Sequence, residues 1–186
     1  MNFVKTRLNE ISNNFLQLAE KSVLEIEKAS EIIISSLKDN GKIMFCGNGG
    51  SAADAQHLSA ELVGRYLKDR QPLSAMALTT DTSTITAISN DFSFKEIFSR
   101  QLMSIGKKED VLYAISTSGK SENIINCLSV AKNLGIKTIG VTGNNSNLDG
   151  LCDVIIKAPA SRPDRIQEMH IAIGQIICEI IEEKLC

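Results

Sequence analysis

Two clusters of small polar residues stand where apolar runs give way to helices. Lys42-Ile43-Met44-Phe45-Cys46 leads into Gly47-Asn48-Gly49-Gly50-Ser51, and Val111 to Ile115 leads into Ser116-Thr117-Ser118-Gly119-Lys120-Ser121. A helix N-terminus offers unpaired N–H groups and the positive end of the helix dipole, which together attract anions. Glycine lets backbone approach a ligand closely, and hydroxyls add further donors. A helix cap uses one hydroxyl, yet Ser116, Thr117, Ser118 and Ser121 crowd into one loop. That excess favours anion binding over simple capping. Two such loops point to a phosphorylated small molecule.

Proton-transfer and metal-ligating residues are scarce. The only histidines are His57 and His170. His57 and Glu61 are four apart, one or two turns below the glycine loop, so they share a helix face. An imidazole nitrogen and a carboxylate at that spacing suit a shared divalent metal, or a carboxylate base; the plainer alternative is an ordinary surface pair. A second cluster, Asp164-Arg165-Ile166-Gln167-Glu168-Met169-His170 with Gln175 beyond it, lies on the terminal helix. At 100° per residue, Gln167 and His170 lie about 60° apart, whereas His170 and Gln175 diverge by about 140°. Both can hardly enter one small site. Asn90-Asp91 reads as a turn or as a pair that hydrogen-bonds sugar hydroxyls.

These residues need a scaffold, and the apolar periodicity supplies one. Leu8, Ile11, Phe15 and Leu18, then Ile26, Ile33 and Leu37, predict an N-terminal helix over about 4–38, ended by Asn40-Gly41. Strands are predicted at 42–46, 74–78, 111–115, 137–141 and 153–156. Helices fall between them at about 51–66, 94–104 and 121–134, with part-helix in 79–90. Thr142-Gly143-Asn144-Asn145 is a third polar loop, and a last helix spans about 163–184. Alternation at this spacing predicts an α/β fold: a doubly wound parallel sheet of about five strands, flanked by helices, within one domain over 1–186. Ligands in such sheets sit at the carboxyl ends of the strands. The terminal helix is apolar most of the way round, with Ile166, Met169, Ile173, Ile176, Ile177 and Ile180 on one stripe and Ile171, Cys178 and Ile181 elsewhere. Such a helix must be buried. With the long first helix, this predicts packing between subunits of a homo-oligomer.

Composition removes several classes. A net charge of -2 with 4% aromatic residues and no basic tract gives no footprint for nucleic acid. No apolar run approaches the ~20 residues of a membrane span, and the first residues lack a signal peptide's apolar stretch. Five cysteines, an odd number without a Cys-x-x-Cys pair, suggest reduced thiols in a cytoplasmic protein.

Taken in order, the run from Cys46 to His57, then Glu61, Gly64-Arg65-Tyr66, Asn90-Asp91-Phe92, Ile115 to Gly119 and Arg165 to His170 resemble the phosphoheptose isomerases, a family within the wider sugar-isomerase (SIS) fold. The resemblance runs through nearly the whole chain. It implies a cytoplasmic homotetramer that converts sedoheptulose 7-phosphate into D-glycero-D-manno-heptose 7-phosphate through an enediol, towards the activated heptoses of lipopolysaccharide core or capsule. It also implies one zinc per site. Carried onto matching positions, the metal ligands are His57, Glu61, Gln167 and Gln175. The substrate contacts are Asn48, Gly49, Gly50, Ser51, Glu61, Asn90, Asp91, Ser116, Thr117, Ser118, Ser121, Asp164 and Gln167. The catalytic pair is Glu61 and Gln175. The chain departs from the family at position 175, where a second catalytic histidine is usual; glutamine cannot exchange protons near neutral pH, so metal-bound water or His170 would take that role. A related SIS protein that binds the bacterial replication initiator is the alternative, but it lacks a carboxylate matching Glu61. A sugar-phosphate sensor would be expected to carry a helix-turn-helix segment.

Overall fold

The structure is a computed structural model describing residues 2–144 and 148–186; Asn145, the end of the predicted third loop, lies outside the described residues. Two helices open the chain, α1 (Phe3–Lys21) and α2 (Val23–Lys38). There follow β1 (Ile43–Gly47), α3 (Gly50–Val63), β2 (Ala75–Ala77), α4 (Thr82–Asp91) and, after a 3-10 turn, α5 (Ile97–Ile105). Then come β3 (Val111–Ser116), α6 (Glu122–Asn133), β4 (Lys137–Gly143), β5 (Val154–Ala158) and α7 (Pro163–Leu185).

The single helix expected over 4–38 is therefore two. Ser22 leaves helical geometry at φ -128 and ψ 9. Its buried hydroxyl donates to the Lys157 carbonyl of β5 at 3.1 Å. A serine side chain that finds a partner outside the helix competes with the helical backbone. No glycine or proline marks the spot, so apolar periodicity runs straight through it. Asn90 and Asp91, expected to break a helix, instead form the last residues of α4.

All pairings are parallel, in the order β2-β1-β3-β4-β5. Alternation along each strand feeds two cores. Ile43, Phe45, Tyr113, Ile139 and Val141 pack with α2, α3 and α7, while Met44, Cys46, Leu112 and Ala114 pack with α5 and α6. The chain leaves β1 towards β2 on one side and resumes at β3 on the other, so a crevice opens between the carboxyl ends of β1 and β3. Their register pairs Gly47 with Ile115. The glycine loop and the serine loop thus emerge side by side.

Helix α7 lies along α3 and runs the same way. Gly50 faces Gln167 near the start of both, and Gly174 faces Leu58 further along. Any side chain at position 174 would collide with Leu58. No helix among the described residues is long and apolar enough to cross a membrane.

Candidate active site

The crevice carries the hydroxyl cradle. Gly49 and Gly119 turn their loops at φ 58 and φ 62, a conformation that a Cβ disfavours. Ser116, at the end of β3, is buried. Its hydroxyl accepts from Gly119 N–H at 3.1 Å and lies 3.3 Å from the Ser121 hydroxyl. Ser118 accepts from Lys120 N–H at 3.1 Å, and the Thr117 carbonyl accepts from Gly143 N–H at 3.1 Å. Ser121 occupies the N-cap of α6 but makes no side-chain capping bond. Gly49 leaves the start of α3 without a side-chain cap as well. Two helix N-termini therefore reach the crevice without a capping side chain.

A residue that the sequence reading passed over joins the two loops. Asn48 and Asn123 exchange amide hydrogen bonds, each 2.9 Å, and Asn123 is buried. The signal was a polar residue four before Cys127, on the stripe that Ile124, Cys127, Leu128 and Ala131 bury. Because Ser121 does not cap α6, Ser121→Ala should not show the usual loss of about 1 kcal/mol from a missing N-cap. The expected result is an unchanged melting temperature with a raised KM for the phosphorylated substrate, read by thermal melting and steady-state kinetics.

Gln167 belongs to this end of the molecule. A Cβ added at Gly50 would come within 2.7 Å of its Nε2, so the amide lies against the first turn of α3. Gly50→Ala should displace that flexible amide while leaving stability almost untouched. Activity should fall by about tenfold or more if the amide contacts substrate, since small misplacements near reacting groups are costly.

His57 and Glu61 form a separate pair, with Gln175 at a similar height on α7. His57 Nε2 lies 2.9 Å from Glu61 Oε1, with His57 about half exposed and Glu61 only partly so. Gln175, half-buried, follows the glycine that faces Leu58, which sets it level with this pair. From Gly50 to Glu61, α3 rises about 16 Å. It descends from the carboxyl edge of the sheet, since Leu73, just before β2, donates to the carbonyl of Leu62 at 3.0 Å. One chain therefore holds the cradle with Gln167 at one end of α3, and Glu61 with His57 and Gln175 towards the other.

The remaining residues occupy the rim or the interior. Asn90 and Asp91 are exposed and hydrogen-bonded to each other at 2.8 Å. Asp164, in the first turn of α7, is exposed and pairs with Arg162 and Arg165; against the cost of desolvation, those guanidiniums hold its carboxyl below the usual range. His170 is buried beside the Thr142 backbone. Burial lowers its pKa to about 4, which makes it a neutral imidazole at physiological pH.

The donor chemistry of His57 and Glu61 suits Zn²⁺, which takes imidazole nitrogen and carboxylate oxygen readily, and the two atoms already meet. The pair fits a metal. Among the described residues no group of three or more His, Cys, Asp and Glu side chains is placed to hold one, so further ligands would be amides, water or donors from another copy.

A five-stranded parallel sheet with a serine-lined crevice between β1 and β3 is the architecture of sugar-isomerase domains, and residues 8–143 match the SIS domain model. Within that class the chain belongs to the phosphoheptose isomerase family. It is 51% identical to the phosphoheptose isomerase of Rhodospirillum rubrum over 87% of this chain and 86% of the relative. The phosphoheptose isomerase structure from Neisseria gonorrhoeae superposes with a TM-score of 0.90 at 38% identity, covering 97% of each chain. The one from Francisella tularensis does so with 0.93 at 33% identity, covering 97% of this chain and 96% of that one.

Proposed function

We infer that the chain isomerises sedoheptulose 7-phosphate to D-glycero-D-manno-heptose 7-phosphate in heptose biosynthesis. The observation that carries this reading is the hydroxyl loop whose Ser121 leaves α6 without a side-chain cap beside the glycine loop, in a chain of this family. The adaptor alternative is not favoured, because the relatives matched are isomerases by name.

In the reaction a proton leaves C1 of the open-chain ketose and returns at C2, while the hydroxyl proton on O1 ends on O2. No external oxidant or reductant enters. Ser116, Thr117, Ser118 and Ser121, with the N-termini of α3 and α6, grip the 7-phosphate; that remote binding energy positions the reacting carbons. Glu61 is the base that carries the proton from C1 to C2. His57 holds Oε1 of that carboxylate, leaving Oε2 for the transfer. Gln167 and Gln175 supply amide donors and acceptors, and Asn90, Asp91 and Asp164 meet the sugar hydroxyls at the rim. Zn²⁺, held by His57, Glu61 and Gln175 with Gln167 of a second copy, would replace the hydrogen bond between His57 and Glu61 and would supply electrostatic stabilisation of the developing enediolate oxygen. With glutamine at 175, proton exchange at the sugar oxygens falls to water rather than to His170, which is sealed in the interior.

We infer a homotetramer, a reading that the same geometry supports to the extent of requiring a second copy. The span of about 16 Å along α3 exceeds what a seven-carbon sugar phosphate bridges, so a cradle is completed by Glu61 of a second copy. Leu8, Leu16, Leu24 and Ile176 expose large apolar surfaces on α1, α2 and α7, which supports burial of those helices between subunits. The product serves lipopolysaccharide core or capsule, and the location is cytoplasmic.

Purified protein incubated with sedoheptulose 7-phosphate should form the aldose 7-phosphate. A chelator should slow the reaction, and added Zn²⁺ should restore it. Absence of the aldose under all conditions would end the isomerase reading; turnover indifferent to the chelator would end the zinc assignment alone.

A further inference from the structure

The last turn of α3 is closed in an unusual way. A helix leaves its final carbonyls without intrahelical partners, and a left-handed glycine commonly satisfies them. Gly64 is the C-cap of α3 at φ -79 and ψ -101, and Arg65, not a glycine, follows it. The last turn also has no basic residue of its own. Arg70 closes it instead, sharing the Leu62 carbonyl with the Leu73 N–H. Its Nη2 donates to the Glu61 carbonyl at 2.8 Å and its Nη1 to the Leu62 carbonyl at 2.8 Å. A cation at a helix C-terminus also complements the dipole.

Arg70 is itself locked. Its Nε donates to Glu182 Oε1 at 2.8 Å. The same carboxylate accepts from the backbone N–H groups of Tyr66 at 3.2 Å, Leu67 at 2.8 Å and Lys68 at 2.8 Å. Both side chains are almost fully buried, at 4% and 2% exposed. Burying an ion pair is a poor route to stability, because an apolar pair of similar volume often does as well or better. What an apolar pair lacks is direction. Here the directed bonds end on the backbone of Glu61 itself and on the loop that follows it. Glu182 also lies two turns beyond Gln175 on nearly the same face of α7, about 20° away. The clamp therefore ties the segment of α3 that carries Glu61 to the segment of α7 that carries Gln175.

We propose that Arg70, held by Glu182, is a positioning residue for the Glu61 carboxylate, fixing the turn that carries the base relative to α7. The proposal rests on the assignment of Glu61 as that base. Neither Arg70 nor Glu182 lies at the cradle, which is at the other end of α3, so phosphate binding should not feel their loss.

The test compares Arg70→Lys and the paired Arg70→Met, Glu182→Met variant with the wild-type oligomer, using steady-state kinetics on sedoheptulose 7-phosphate and thermal melting. The paired variant removes both charges together, so no buried charge is left alone, but it orphans the Tyr66, Leu67 and Lys68 N–H groups; it should melt below the wild type, and its kcat is therefore read per folded protein at a temperature where it stays folded. Its kcat should fall by about 100-fold with KM within about twofold, the signature of a misplaced base beside an intact cradle. Arg70→Lys keeps the charge and a donor, and should recover part of that kcat. A folded paired variant with wild-type kcat overturns the proposal. So does a loss of kcat in either variant that only tracks loss of folded protein. If the paired variant does not fold, wild-type kcat in Arg70→Lys overturns it alone. Glu61→Gln run alongside separates the two layers: activity there would fell the assignment of the base, whereas an inactive Glu61→Gln with a fully active clamp variant would fell only the clamp.

Discussion

Glu61→Gln is expected to abolish turnover while leaving the fold and the phosphate cradle intact. Glutamine keeps the length and shape of the side chain, and its amide oxygen can still meet His57 Nε2, now 2.9 Å from Glu61 Oε1. It cannot take a proton from carbon near neutral pH. A positioned base contributes about 10²- to 10⁴-fold, and here the same group must both remove the C1 proton and return it at C2. The expected kcat loss is at the upper end, about 10⁴-fold. Binding of inorganic phosphate, measured by calorimetry, should remain, because Ser116 to Ser121 lie at the opposite end of α3. Turnover within tenfold of wild type would remove Glu61 from the mechanism.

The largest effect on stability is expected at Glu182. Its carboxylate is 2% exposed and takes four hydrogen bonds, from Tyr66, Leu67 and Lys68 N–H and from Arg70 Nε. Desolvation pushes its pKa up, but the backbone donors and Arg70 together pull it down to about 2 from the ordinary 4.5. Glu182→Gln leaves the Arg70 guanidinium buried without its counter-charge, a change that costs about 3–5 kcal/mol. For a chain of this length that corresponds to a fall of about 10 °C or more in melting temperature. The pH dependence has a definite sign. A carboxyl depressed in the folded state stabilises it above the unfolded pKa and loses that contribution as protons bind. Wild-type stability should therefore drop as pH falls from about 4.5 towards about 2, and Glu182→Gln should lack this component of the decline. Thermal or urea melts across that range check both points. A variant as stable as wild type would show that the pair contributes nothing to folding.

The Glu182 contacts were invisible in the sequence for a simple reason: Arg70 and Glu182 are 112 residues apart, and no local period links them. The cradle was legible because its chemistry is local. Hydroxyls and glycines at a strand-to-helix junction state their purpose within six residues, and the five strands announce themselves as apolar runs between turn residues. The break at Ser22 was hidden because a serine on a helix reads as ordinary, and its partner, the Lys157 carbonyl, comes from the far end of the sheet. Asn123 was half legible, a polar residue on an apolar stripe whose partner Asn48 sits across the crevice. The placement of Glu61 is the instructive case. Its spacing from His57 was read correctly as one helix face, but resemblance grouped it with the serine loop. Rise per residue sets it about 16 Å away along α3, and that separation is why the proposed site draws Glu61 from a second copy.

A crystal structure of the assembled protein with sedoheptulose 7-phosphate bound is the most direct test. It should show the phosphate among Ser116, Thr117, Ser118 and Ser121, and C1 within about 3.5 Å of a Glu61 carboxylate, close enough for proton transfer. A sugar held in the cradle whose C1 faces no Glu61 from any subunit would contradict the assignment.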